Sequence, residues 1–173
     1  MTRAPCSAKR RARRSKTRTD SRLLLRRLEA DRGDAEIFQL LLDRIGKPAR
    51  ECLFTAGGLE AGQTVLIHAG AGGVGMAAIQ LAKQAGATVI ATASRDEKLE
   101  RLTVLGLDHG INYASESFVE RTRELTDGRG ADVVLDSIGG QNLVDSIGAL
   151  AYRGTLVSVG VAGRAGSNVE ARD

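Results

Sequence analysis

The sequence predicts an α/β fold: a Rossmann-type, doubly wound parallel sheet. Three observations predict it. Short apolar runs rich in β-branched residues alternate with segments of helical period between Thr64 and Val159. The first run, Val65-Leu66-Ile67, leads into Gly70-Ala71-Gly72-Gly73-Val74-Gly75, which fits G-x-G-x-x-G. Beyond it Val74, Ala77, Ala78, Leu81, Ala82 and Ala85 recur at helical spacing, and Gly86 stands where a helix stops. Strand, glycine turn, helix and second strand (Ala87 to Ala93) make one right-handed βαβ unit.

The glycine turn carries the first chemical reading. Gly70 is expected to allow the bend out of the strand, Gly72 to let a diphosphate approach bare backbone, and Gly75 to let the helix pack closely. The free N–H groups of the first helical turn and the helix dipole then hold the phosphates. In a chain with 21 glycines the motif alone is weak, but following a strand and opening a helix it points to a dinucleotide. Two rival motifs fail. A P-loop needs Lys and then Ser/Thr after its last glycine, and Met76 follows Gly75; a serine nucleophile elbow needs Ser at position 72.

The remaining elements follow in order. Asp34 to Ile45 predicts a helix with Ile37, Phe38, Leu41, Leu42 and Ile45 on one face, interrupted at Pro48. Pro48 to Ala56 reads as a further helix with proline in its first turn, ended by Gly57-Gly58. After the βαβ unit come a helix from Asp96 to Leu105, a strand from His109 to Tyr113, and a helix from Glu116 to Leu125 with Ser115 as its expected cap. Asp127-Gly128-Arg129-Gly130 is a turn, Asp132 to Asp136 a buried strand, Gln141 to Leu150 a helix, and Thr155 to Val159 a strand. That gives five strands, one fewer than the full open sheet of about six. The domain organisation follows: a basic tail at 1–33 expected to be disordered, a helical lead-in at 34–58, a dinucleotide-binding domain at 59–163 and a C-terminal tail at 164–173.

Charge is uneven. Residues 1–32 hold 12 of the 25 Lys+Arg and 3 of the 21 Asp+Glu, so the overall charge of +4 belongs to the tail and the rest is mildly acidic. That tail suits a nucleic-acid-binding arm, a transit peptide, an anionic membrane surface, or no role at all, as from a misplaced start or shifted frame. It interleaves no aromatic residue to stack on bases, which counts against nucleic acid. The two cysteines, Cys6 and Cys52, form no disulfide framework, so a reducing, cytoplasmic compartment is expected. No apolar run approaches the roughly 18 residues of a membrane span.

Several blocks now carry a family resemblance. Ala69 to Gln80 (AGAGGVGMAAIQ), Leu107 to Tyr113 (LDHGINY), Leu125 to Gly140 (LTDGRGADVVLDSIGG) and Thr155 to Gly160 (TLVSVG) resemble the medium-chain dehydrogenase/reductase superfamily, and within it the zinc-free NADPH:quinone oxidoreductase branch. Glu51 to Thr64 is similar to the helix and loop before the family's first nucleotide-domain strand. The resemblance covers Glu51 to Gly163; residues 1–50 do not resemble the GroES-like catalytic domain with which such proteins begin. A truncated chain is therefore expected. It implies hydride transfer from NADPH to a quinone or activated alkene in the intact family, and activity of this chain alone is doubtful. The alternatives are a non-catalytic NADPH-binding module, an enoyl reductase domain or a zinc-type alcohol dehydrogenase fragment. No catalytic residue carries over. The family's structural zinc lobe needs four cysteines, so no metal is expected.

The second strand decides between coenzymes. NAD-binding folds place an acid at its end, about 20 residues past the glycines, to grip the ribose hydroxyls. Ala93 stands there, followed by Ser94, Arg95 and Lys98, which suit a 2′-phosphate. NADP(H) is the expected cofactor, with Asp96 and Glu97 diluting the positive field. By resemblance Tyr113 lines the adenosine-phosphate side, although a tyrosine capping the sheet edge fits as well. The resemblance also puts Ser137 near the cofactor ribose and Val159 and Gly160 along the nicotinamide. His68 reads as packed or hydrogen-bonded rather than as a base, and His109 has no acid–base partner. The expected partners are a small quinone or enone and a second copy at the open sheet edge, with no membrane.

Overall fold

The computed structural model describes residues 46–159, and the basic tail, the helix expected at Asp34 to Ile45, Gly160 and the C-terminal tail lie outside them. Residues 46–50 are helical and run on without a break into π-helical turns at Glu51–Ala56; together they form α1. Gly46 and Lys47 are already helical, so the helix expected from Pro48 begins at least two residues before it, while the interruption expected after Asp34 to Ile45 falls partly outside the described residues.

Then follow β1 (Thr64–Ile67), α2 (Gly73–Gln84), β2 (Thr88–Ala93), α3 (Asp96–Leu102), β3 (His109–Asn112), α4 (Phe118–Leu125), β4 (Ala131–Asp136), α5 (Gln141–Ala149) and β5 (Leu150–Ser158). All strand pairs are parallel, in the order β3-β2-β1-β4-β5. Chain order reverses between β1 and β4, and at such a switch point a crevice opens beyond the carboxyl ends of the strands.

Side-chain alternation divides the sheet into two cores. Val65, Ile67, Val89, Ala91, Val133 and Leu135 face α1, α2 and α3; Leu66, Ile90, Ile111 and Val134 face α4 and α5. Every residue of β1 is buried, as expected for the central strand of a sheet covered on both faces. Helix α2 buries a wider arc than one stripe, because Met76 and Ile79 join Ala77, Ala78 and Ala82 in the core. Gly86 leaves α2 at φ 80° and Gly106 ends the 3-10 turn after α3 at φ 100°, the left-handed conformation that glycine adopts without strain.

Two boundaries differ from expectation. The cap of α4 is Ser117, whose hydroxyl accepts from the Glu120 amide at 3.4 Å, whereas Ser115 donates to the Asn112 carbonyl at 3.2 Å. Strand β5 starts at Leu150 rather than Thr155. Leu150 pairs with Ala131 and Thr155 with Val133, so residues 151–154 bulge out, with Arg153 left-handed at φ 64°.

The opposite end of the sheet is tied by ion pairs. Arg129 reaches Asp132 at 2.6 Å while the other Asp132 oxygen accepts from the Thr64 amide at 2.7 Å. Lys83 meets Asp108 at 2.6 Å, and Asp108 also accepts from the Val89 amide at 2.8 Å. Burial alone raises the Asp108 pKa, but the Lys83 ammonium and the Val89 N–H outweigh it and hold the carboxyl below its ordinary range.

Candidate functional site

The crevice is framed by the glycine turn on one side of the switch point and by the end of β4 on the other. The chain leaves β1 through His68 and turns at Ala69, which takes the left-handed conformation at φ 51°. Gly70 follows in the same turn, which runs from His68 to Ala71. A Cβ there meets the Ala91 methyl at 2.8 Å, so its bare backbone lies against β2. A Cβ on Gly75 meets the Ala69 and Gly70 carbonyl oxygens at 2.6 and 2.7 Å, so the close approach that Gly75 allows is between helix and turn. At Gly72 the same test finds only the Ala69 oxygen, at 3.1 Å, and otherwise open space.

Gly72 caps α2 in extended conformation with no side-chain contribution. The Gly72 amide donates to Ala69 and the Met76 amide to Gly72, whereas the amides of Gly73, Val74 and Gly75 donate to no acceptor among the described residues. These three N–H groups open a helix of 12 residues, which adds its dipole. Open space above Gly72 beside three free donors fits an anionic diphosphate.

The end of β2 adjoins this turn, since the Gly70 amide donates to Thr92. Ala93 is buried and carries no charge. Ser94 follows, its Oγ accepting from Lys98 Nζ at 3.3 Å, and Arg95 is exposed as the first residue before α3. The Asp96 carboxylate accepts from the Asn112 side-chain amide at 2.9 Å, which ties one of the two diluting acids to the end of β3. The Tyr113 amide donates to Ala93 at 3.1 Å, which brings Tyr113 beside Ser94. Its half-exposed ring also lines a groove of about 540 Å³ between α4 and α5, with Phe118, Val119 and Val144.

Across the switch point, Ser137 Oγ donates to the His68 carbonyl at 3.4 Å. Val159 continues β5, its amide donating to Asp136 at 2.7 Å, while Gly160 lies outside the described residues. Asp136, the last residue of β4, does more than end the strand. It is fully buried, and its side chain accepts from the Ile138 and Gly139 amides and from Asn142. The Asp-Ser-Ile-Gly spacing, an acid before its own turn, was the available signal.

His68 sits just past β1 and is buried, edge-on to Phe118. Its Nε2 lies 3.0 Å from Ser146 Oγ and its Nδ1 3.1 Å from Thr92 Oγ1. Ser146 already donates its hydroxyl proton to the Asn142 carbonyl at 2.6 Å, so it accepts from His68 Nε2–H, and Nδ1 accepts from Thr92. Burial pushes the ring pKa down to about 4, against the opposing charge of Asp136, so the imidazole is neutral. Both nitrogens are engaged, as expected of a packed histidine. Among the described residues no group of three or more His, Cys, Asp or Glu is placed to hold a metal ion. None of their helices is long and apolar enough to cross a membrane.

This geometry has relatives. The chain is 41% identical over 132 residues to a 2-haloacrylate reductase from Burkholderia sp., covering 76% of this chain and 39% of that protein. The crystal structure of 2-haloacrylate reductase superposes with a TM-score of 0.71 at 40% identity, covering 75% of this chain and 40% of that one. A quinone oxidoreductase from Pseudomonas syringae pv. Tomato DC3000 gives a TM-score of 0.67 at 37% identity, covering 72% and 39%. A mycobacterial protein in complex with NADPH gives 0.65 at 38% identity, covering 69% and 37%. The chain thus spans about two-fifths of the length of these relatives. The family model described as zinc-binding dehydrogenase matches residues 73–173. With the sheet order, the glycine turn and these matches in hand, the chain belongs to the zinc-binding dehydrogenase family of the medium-chain dehydrogenase/reductase superfamily.

Proposed function

We propose that this chain is the NADP(H)-binding domain of a quinone oxidoreductase-like protein. The observation that carries the reading is the set of amides at Gly73, Val74 and Gly75 without an acceptor among the described residues, at the start of the helix that follows the central strand β1. They hold the diphosphate, and the bare Cα of Gly72 lets it approach. Ser94, Arg95 and Lys98 receive the 2′-phosphate: a hydroxyl and two cations follow β2, and no acid at Ala93 repels the anion. Tyr113 borders that end. Ser137 meets the ribose on the β4 side, and Val159 lies along the nicotinamide.

The bound coenzyme supplies a hydride from the nicotinamide C4. The chain's own part is to orient the coenzyme. Its acceptor is a quinone or activated alkene, and the names of two relatives, 2-haloacrylate reductase and quinone oxidoreductase, support that class. The rest of the substrate cleft comes from the part of such proteins that this chain does not match. The reading is therefore of binding first and turnover second.

Calorimetry on the 173-residue chain tests it. NADPH is expected to bind at least about tenfold more tightly than NADH, the worth of one or two charge-assisted contacts to the 2′-phosphate. No heat with either coenzyme overturns the reading, and tighter binding of NADH overturns its phosphate half. Oxidation of NADPH by a soluble quinone separates an active chain from a module that only binds.

A further inference from the structure

Asp136 is buried at the carboxyl end of β4, and the reading above gives it no task. Its side chain is wrapped by the segment that follows. Oδ1 accepts from the Ile138 amide at 2.8 Å and from Asn142 Nδ2 at 3.1 Å. The Gly139 amide is shared between Oδ1 at 3.2 Å and Oδ2 at 3.1 Å. Its backbone carbonyl accepts from Val159, so one residue fixes both the exit of β4 and the end of β5.

The loop it shapes has a single geometry. Gly139 and Gly140 take left-handed φ values of 75° and 63°, and Gly140 then caps α5. Ser137 ties the same loop to the exit of β1 through the His68 carbonyl. Burying a carboxyl in this position requires those donors to offset its desolvation, whereas an apolar residue ends a buried strand without that burden. An expensive residue kept at a crevice marks a functional constraint rather than a packing one.

We propose that Asp136 is a positioning residue for the coenzyme: it holds the Ile138 and Gly139 amides and so fixes residues 137–140 as the wall that meets the ribose on the nicotinamide side. The inference rests on the NADP(H) reading. It follows from the two halves of the fold. β1 to β3 carry the glycine turn and the 2′-phosphate residues, while β4 opens the second mononucleotide half. Asp136 acts through backbone and does not touch the coenzyme.

The split between halves gives the test. Asp136→Asn in the full chain is titrated with NADPH and with adenosine 2′,5′-bisphosphate, which lacks the nicotinamide half. The expected result is NADPH binding weakened about tenfold, with the bisphosphate within about twofold of the parent. Unchanged NADPH binding overturns the inference, and so does an equal loss for both ligands, the mark of a merely structural residue. If Asp136→Asn does not fold, Asn142→Ala removes one donor to Oδ1. A loss of about threefold confined to NADPH then supports the inference, and an equal or absent loss overturns it. A parent chain that binds neither ligand overturns the NADP(H) reading and this inference together, a result distinct from a parent that binds and a variant that does not differ.

Discussion

Gly72 and Gly75 lie three residues apart in one turn, and alanine at each is expected to fail in a different way. At Gly75 the new Cβ lies 2.6, 2.7 and 2.8 Å from the Ala69 oxygen, the Gly70 oxygen and the Gly70 Cα. All three are backbone atoms of the turn, so no rotamer change relieves the overlap and the start of α2 must shift. Overpacking of this kind costs about 1–3 kcal/mol, and three backbone overlaps put Gly75→Ala near the top, at about 3 kcal/mol. At roughly 4 °C per kcal/mol for a domain of this size, the unfolding midpoint falls by about 12 °C. At Gly72 the sole neighbour is the Ala69 oxygen at 3.1 Å, and φ −79°, ψ 165° suits any residue. Replacing a glycine N-cap by alanine costs about 1 kcal/mol or less. The methyl group occupies the space the diphosphate needs, so NADPH affinity falls by about tenfold or more. Thermal unfolding of both variants, with NADPH titrations on the folded protein, checks the pair. Equal midpoint losses, or a Gly72→Ala that binds like the parent, would refute the assignment of separate roles.

Three further outcomes follow from the same structure. His68 is held neutral with its pKa near 4, so between about pH 6.5 and 4 the unfolded chain binds more protons than the folded one. Stability is then fully present above pH 6.5 and falls on acidification through that window by up to about 3 kcal/mol; the unfolding midpoint of His68→Gln, measured against pH, should lose most of that slope. Lys98→Ala removes the cation that reaches Ser94, and NADPH affinity is expected to drop about tenfold with NADH binding unchanged; an equal drop for both coenzymes contradicts a 2′-phosphate contact. Arg153 is exposed and left-handed at φ 64°, so Arg153→Gly relieves about 1 kcal/mol of backbone strain and should raise the midpoint by a few degrees, where no rise speaks against the strain.

Much of the fold was legible because β1, β2 and β4 are buried on both faces and read as continuous apolar runs. The glycine turn was legible for its position between strand and helix. What escaped was backbone detail. The left-handed residue of the turn is Ala69, and a left-handed alanine leaves no mark in a sequence where glycine is the customary signal. Ser115 and Ser117 both precede α4. The pattern Ser117-Phe118-Val119-Glu120 is a capping signature that identifies the right serine. The start of β5 was hidden because residues 151–154 bulge away from β4 and break the two-residue alternation. At the site, Ser94, Arg95 and Lys98 stood out because charge and strand ends are visible in sequence. Asp136 did not, because its partners are backbone amides whose direction only the folded loop reveals.

The seam that opens the crevice also governs how the chain assembles. β1 joins β2 after a short excursion, with Thr64 opposite Thr88, whereas its other neighbour supplies Asp132, 68 residues away from Thr64. The first three strands are thus built from local crossovers, and β4 must insert beside β1 only after a much longer loop has closed. Docking of the second half on the first is then the step that closes the longest loop. Until it happens β1 has one edge bare, so the seam that borders the crevice is also the one that shields an edge strand from pairing with another chain.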